Sequence, residues 1–202
     1  METFLACFEG ATVYLELGIR HILDPMGADH ILFVVALCAA YAYKDLRKLA
    51  WLVTAFTVGH SLTLVLAAFD LVRVDQTLTE LLIAVSILIT AILHLIRSWR
   101  QAPAAHRLDY GLALGFGLIH GLGFSGYFRT LLGQESCITG PLLFFNIGLE
   151  AGQLLIVSLL MALNWFWTQV LRQPMRPWTL GISSLVALYA IYLIVSRIAA
   201  FG

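Results

Sequence analysis

Six apolar stretches, at about 25–43, 48–70, 78–97, 109–127, 141–164 and 178–199, dominate the chain. Each is close to the roughly 20 residues that a helix needs to cross a hydrocarbon core. Short breaks with turn or charge signals separate them: KDLRK at 44–48, DLVRVD at 70–75, RSWRQAPAAHR at 97–107, LLGQESCITGP at 131–141 and LRQPMRP at 171–177. In lipid, a segment must satisfy its backbone amides internally, which leaves helices and closed barrels. Runs of this length predict an all-α fold, a polytopic membrane bundle of about six transmembrane helices. Charged residues are 12% of the chain, against about 25% in a soluble domain, too few to cover a water-facing surface. A formal net charge of zero offers no basic field for nucleic acid.

Ahead of the first run, Glu2, Glu9 and Glu16 recur every seven residues with apolar residues between them. That spacing predicts a short amphipathic helix lying at the membrane interface. The whole chain, 1–202, is expected to be one integral-membrane domain, with 1–24 interfacial and 25–199 the bundle. The first basic residue is Arg20, so no cleavable signal peptide is expected. Lys44, Arg47, Lys48, Arg97, Arg100, Arg107, Arg172 and Arg176 would share one side, and Arg20, Arg73, Arg129 and Arg197 the other. Eight against four puts the first set inside and both termini outside, in the periplasm of a bacterial inner membrane. Cys7, Cys38 and Cys137 show no C-x-x-C spacing. Cys7 and Cys137 can share one side of the membrane, where a disulfide is possible but has no support in the sequence.

Ionisable residues inside membrane segments are expensive and mark functional sites. At about 1.5 Å per residue, Asp29 and His30 fall roughly one turn below the outer face. His60 falls near the middle of its run and His120 roughly 10 Å below the outer face. Asn146, Glu150 and Gln153 share one face of the fifth run, at i, i+4 and i+7. Pro25 and Gly27 break the helix between His21 and Asp29, so His21 can fold back toward His30. Two carboxylates at similar depth would repel unless a cation lay between them. Imidazole with carboxylate suits nickel, cobalt, zinc or copper better than magnesium or calcium. The expected metal ligands are His21, Asp29, His30, His60, His120 and Glu150. Thr57, Ser61, Asn146 and Gln153 are expected behind them, fixing the rings. No catalytic residue is assigned.

Several features have plainer readings. Asp29 can cap the helix that begins near Gly27. His94, toward the inner end of its run, is either a packing residue or a second station on an exit route. His106 reads as solvated and Glu80 as interfacial. Trp51, Trp99, Trp165, Trp167 and Trp178 fall near helix ends, as interfacial anchors do. Gly111, Gly115, Gly117 and Gly121 have the small-residue spacing of close helix packing. Phe56-x-x-x-His60-Ser-Leu62 echoes Phe116-x-x-x-His120-Gly-Leu122.

Four motifs in order carry a resemblance: HILDPMGADHILF from His21, FTVGHSLT from Phe56, GLIHGLGF from Gly117 and FNIGLEAGQ from Phe145. Together they resemble the HupE/UreJ family over about residues 18 to 160. The family is associated with hydrogenase and urease gene clusters and is regarded as nickel or nickel–cobalt permeases acting as secondary transporters. The resemblance implies that His21, Asp29, His30, His60, His120, Asn146, Glu150 and Gln153 handle the metal. Asp24-Pro25 stands where a small residue or glycine is common, and the chain has no histidine-rich tail.

Two function classes follow. A permease would take a divalent transition metal, nickel or cobalt first, with zinc and copper also suited, strip its water and pass it inward. With no nucleotide-binding loop, an ion gradient, a partner or the metal gradient would supply the energy. A membrane-embedded zinc hydrolase would use the same cluster, with Glu150 as general base. A metal-binding accessory subunit has little water-facing surface for a partner. The expected partners are the metal ion and the lipid bilayer, with a homo-oligomer left open.

Overall fold

A computed structural model describes residues 7, 10–101, 106–132 and 137–199. Among the described residues there are seven α-helices: α1 Ala11–Leu23, α2 Asp29–Cys38, α3 Leu46–Ala68, α4 Gln76–Arg100, α5 His106–Leu132, α6 Thr139–Trp165 and α7 Met175–Ala199. One 3-10 turn, Tyr43–Asp45, precedes α3, and α6 runs on through a π-helical turn at Phe166–Val170. No strand occurs among the described residues. Helices α3 to α7 are each long and apolar enough to cross a membrane.

The first apolar run departs from expectation. Instead of a helix over about 25–43, only Asp29–Cys38 is helical. Ten residues span about 15 Å, half of a hydrocarbon core of about 30 Å. Pro25 and Gly27 account for the start: the chain turns there, and the Met26 N–H bonds the Asp24 carboxylate at 2.9 Å. The other end has no glycine or proline. Tertiary bonds hold it instead: Tyr41 donates its hydroxyl to Asp109 (2.8 Å), and the Tyr43 N–H bonds the Asn164 amide oxygen (3.0 Å). Helix α2 is walled in by protein: His30, Phe33, Val34, Ala36, Leu37 and Cys38 are all buried. Non-helical backbone at membrane depth is tolerated under that kind of cover.

Helix α1 has one buried and one exposed face, but it packs lengthwise along α6, and nothing places it flat at a membrane interface as the spacing predicts. Tyr14, Gly18 and Ile22 are buried, while Glu16 pairs with Arg20 on the exposed face (2.5 Å). Glu2 and Glu9 lie outside the described residues. The buried face lies along α6, where Gly18 and Gly148 bring the two backbones together. A disulfide joins Cys7 to Cys137, ahead of α6, with Cα atoms 5.2 Å apart.

Helices α3 and α5 run parallel and tightly packed, and the echoed motifs lie side by side. A Cβ on Gly59 would run into the Leu114 carbonyl, and one on Gly117 into the Phe56 carbonyl. Gly121 also sits against His60. Gly111 and Gly115 meet nothing within 4 Å, so the glycine spacing serves packing at one pair and not at the other.

The bundle has two distinct ends. Lys44, Lys48, Arg97, Arg100 and Arg176 gather at one. At the opposite end Asp70 is held by Arg73 and, at 2.6 Å, by Arg129. Those bonds, Arg73 first, hold the Asp70 carboxyl down at about 2. Asp75 caps α4 there by accepting from the Leu78 N–H (2.8 Å).

Candidate metal centre

Four helices and one turn bring four histidines together. Helix α1 ends two residues after His21, the chain turns through Pro25 and Gly27, and α2 begins with Asp29 and His30. An unbroken helix would separate the two histidines by about 14 Å of rise; the turn brings their ring centroids to 4.5 Å. His60 comes from α3, its ring 5.8 Å from both His21 and His30. One ligand nitrogen from each of His21, His30 and His60 lies within 4.8 Å of the others. His120, on α5, adjoins this trio with its ring 5.1 Å from His30. The parallel packing of α3 on α5 is what sets His60 beside His120.

The four rings are short of partners. His21 Nε2, His30 Nε2, both nitrogens of His60 and His120 Nε2 are buried without a hydrogen bond. Leaving such a group unsatisfied costs about 1–3 kcal/mol, so five together call for a ligand. His120 Nδ1 lies 2.8 Å from the Phe116 carbonyl. A carbonyl only accepts, so this nitrogen carries the proton and Nε2 keeps a lone pair. That is the bond that orients metal-binding imidazoles. Phe33, Phe56, Phe124 and Phe145 wall the group; Phe124 lies 4.0 Å from His21 and Phe56 5.0 Å from His120, centroid to centroid. A cavity of about 550 Å³, lined by Arg20, His21, Asp24, Pro25 and Phe124 among others, leads to His21 from the disulfide-bearing end.

The carboxylates are placed differently. Asp29 is bonded by Arg197 at 2.6 Å, and both side chains are about one-sixth exposed. Arg197 also bonds the Glu80 carbonyl at 2.5 Å and lies 3.9 Å from its carboxylate. Glu150 accepts from the Thr54 hydroxyl at 2.6 Å. Each acid thus has a partner of its own, and neither joins the histidine trio. Of the residues expected behind the ligands, Thr57 donates to the Gln153 amide oxygen (2.9 Å) and Ser61 to the Thr57 carbonyl (2.6 Å). Gln153 Nε2 and Asn146 Oδ1 are buried and unpartnered. No hydrogen bond links these four to a histidine among the described residues.

Arg197 and Phe124 are not among the metal-handling residues that the sequence predicts. A lone arginine ending an apolar helix, in a chain with few acids, is the signal that points to Arg197. His94 stands apart, 3% exposed, with Nδ1 2.9 Å from the Ala36 carbonyl. Of His106, the side chain lies outside the described residues.

The model of a family described as HupE / UreJ protein matches residues 4–197, nearly the whole chain. No curated protein and no solved structure matches it.

Proposed function

This chain belongs to the HupE/UreJ family, and from that premise we propose that it is a permease for a divalent transition metal, nickel or cobalt. Its five long apolar helices fit an integral membrane protein. The broken segment through α2 would serve as a sixth crossing, of the interrupted kind that builds sites inside transporters. One observation carries the reading: three imidazole nitrogens from three elements converge within 4.8 Å in an apolar enclosure. Imidazole selects borderline transition metals over magnesium and calcium. The enclosing phenylalanines keep competing water away from a partly dehydrated ion.

The lysine- and arginine-rich end would face the cytoplasm. The opposite end carries the Cys7–Cys137 disulfide, a bond that persists in oxidising compartments. The cavity to His21 opens at that end, so the ion would enter from the periplasm. A hydrolase would need a base beside the metal. Glu150, the candidate for that role, is engaged by Thr54, which favours the permease.

The test is uptake of labelled nickel and cobalt into proteoliposomes by the wild type, His30→Ala and His60→Ala, each checked for a monodisperse fold. Uptake by the wild type, lost in both variants, is expected. Equal uptake in all three would overturn the proposal.

A further inference from the structure

A second cavity, of about 470 Å³, opens at the lysine- and arginine-rich end. His94, Asp109, Tyr41, Asp45, Arg97 and Thr179 are among its walls. Helix α2 separates it from the histidine trio: His30 sits on the first turn of α2, and the Ala36 carbonyl, near its last, meets His94. We propose that this cavity is a second, weaker station for the same cation, with His94 Nε2 as its imidazole ligand and Asp109 as its carboxylate. The proposal rests on the permease reading and names the site that follows the first on the way out.

The bonding at His94 fixes its chemistry. The Ala36 carbonyl can only accept, so the proton is on Nδ1 and Nε2 carries a lone pair. No donor bonds Nε2 among the described residues, although His94 is only 3% exposed. An imidazole tethered through one nitrogen to a backbone carbonyl, with the other free at a cavity wall, is the arrangement found in metal ligands. His120 has the same tether in the first site.

Asp109 is equally buried, at 4% exposure. One oxygen accepts from Tyr41 (2.8 Å) and the other from Arg97 (2.5 Å). Each oxygen keeps a further lone pair. Arg97 is then a tethered positive charge, neutralising Asp109 until a cation replaces it. Its Nη2 is buried without a partner, so the guanidinium is incompletely held where it is. One imidazole and a shared carboxylate bind less tightly than three imidazoles. A conducting path needs that order, since the last site must let the ion go.

The experiment is a cobalt titration by equilibrium dialysis of the full chain in lipid nanodiscs. Two classes of site are expected in the wild type. His94→Asn, whose amide N–H takes the place of Nδ1 toward the Ala36 carbonyl, should lose only the weaker class. His60→Gln should lose only the tighter. A tight class without a weak one, or a weak class that survives His94→Asn, overturns this inference and leaves the permease reading standing. Absence of the tight class overturns both. A cobalt-soaked wild-type crystal gives a check independent of variant folding: anomalous density beside His94 supports the second station, and density confined to the histidine trio refutes it.

Discussion

His60 has no exposed surface and no hydrogen bond at either ring nitrogen. A residue kept for stability would not be left in that state. His60→Leu removes the orphaned groups at similar volume, so the metal-free protein should gain on the order of 1 kcal/mol. Cobalt binding should disappear in the same variant; a thermal melt and a titration on one sample check both. Arg197 shows the opposite balance. Arg197→Gln strands Asp29 as a buried charge, and breaking such a pair costs about 3–5 kcal/mol. The Asp29→Asn, Arg197→Gln double variant should recover most of that loss, read as a rise in melting temperature over the single variant. Additive losses would mean that the pair is not coupled. The histidines are legible from sequence because burying an imidazole in an apolar run is costly unless a ligand or a hydrogen bond compensates it. Arg197 is not, because it lies 168 residues from Asp29 and only the fold brings α7 beside the start of α2.

The two glycine pairs of α5 divide sharply by neighbour. Gly117 and Gly121 sit where α5 touches α3, with Gly59 of α3 against the Leu114 carbonyl, whereas Gly111 and Gly115 face open space. Gly59→Ala should therefore push the helices apart, lower the melting temperature and weaken cobalt binding, because His60 and His120 ride on those two helices. Gly111→Ala should be neutral or stabilising by up to about 1 kcal/mol, the helix preference of alanine over glycine. Equal effects from the two substitutions would remove α3–α5 contact as the basis of the site. Helix α2 marks how far local signals reach. Pro25 and Gly27 announce its beginning. Its end after Cys38 follows from Tyr41 meeting Asp109 and from Tyr43 meeting Asn164, bonds between residues 68 and 121 positions apart. No pattern within the run Ala39–Ala42 encodes them. The carboxylates follow the same logic: depth along a helix is readable, but the direction each acid takes around its helix depends on which neighbour packs there.

At the scale of the whole molecule, two cavities approach α2 from opposite ends, one reaching His21 and the other His94. In the proposed orientation those ends face opposite compartments. In right-side-out vesicles a membrane-impermeant reductant should open Cys7–Cys137 and expose both thiols to an impermeant maleimide; labelling confined to inverted vesicles would reverse the orientation. The permease reading stands or falls on what surrounds the bound ion. X-ray absorption on the nickel-loaded protein reads this directly, since imidazole rings leave outer-shell scattering that carboxylates do not. The expected spectrum has at least three imidazoles on the metal, and a nickel ion bound mainly by carboxylate and water oxygens would contradict it.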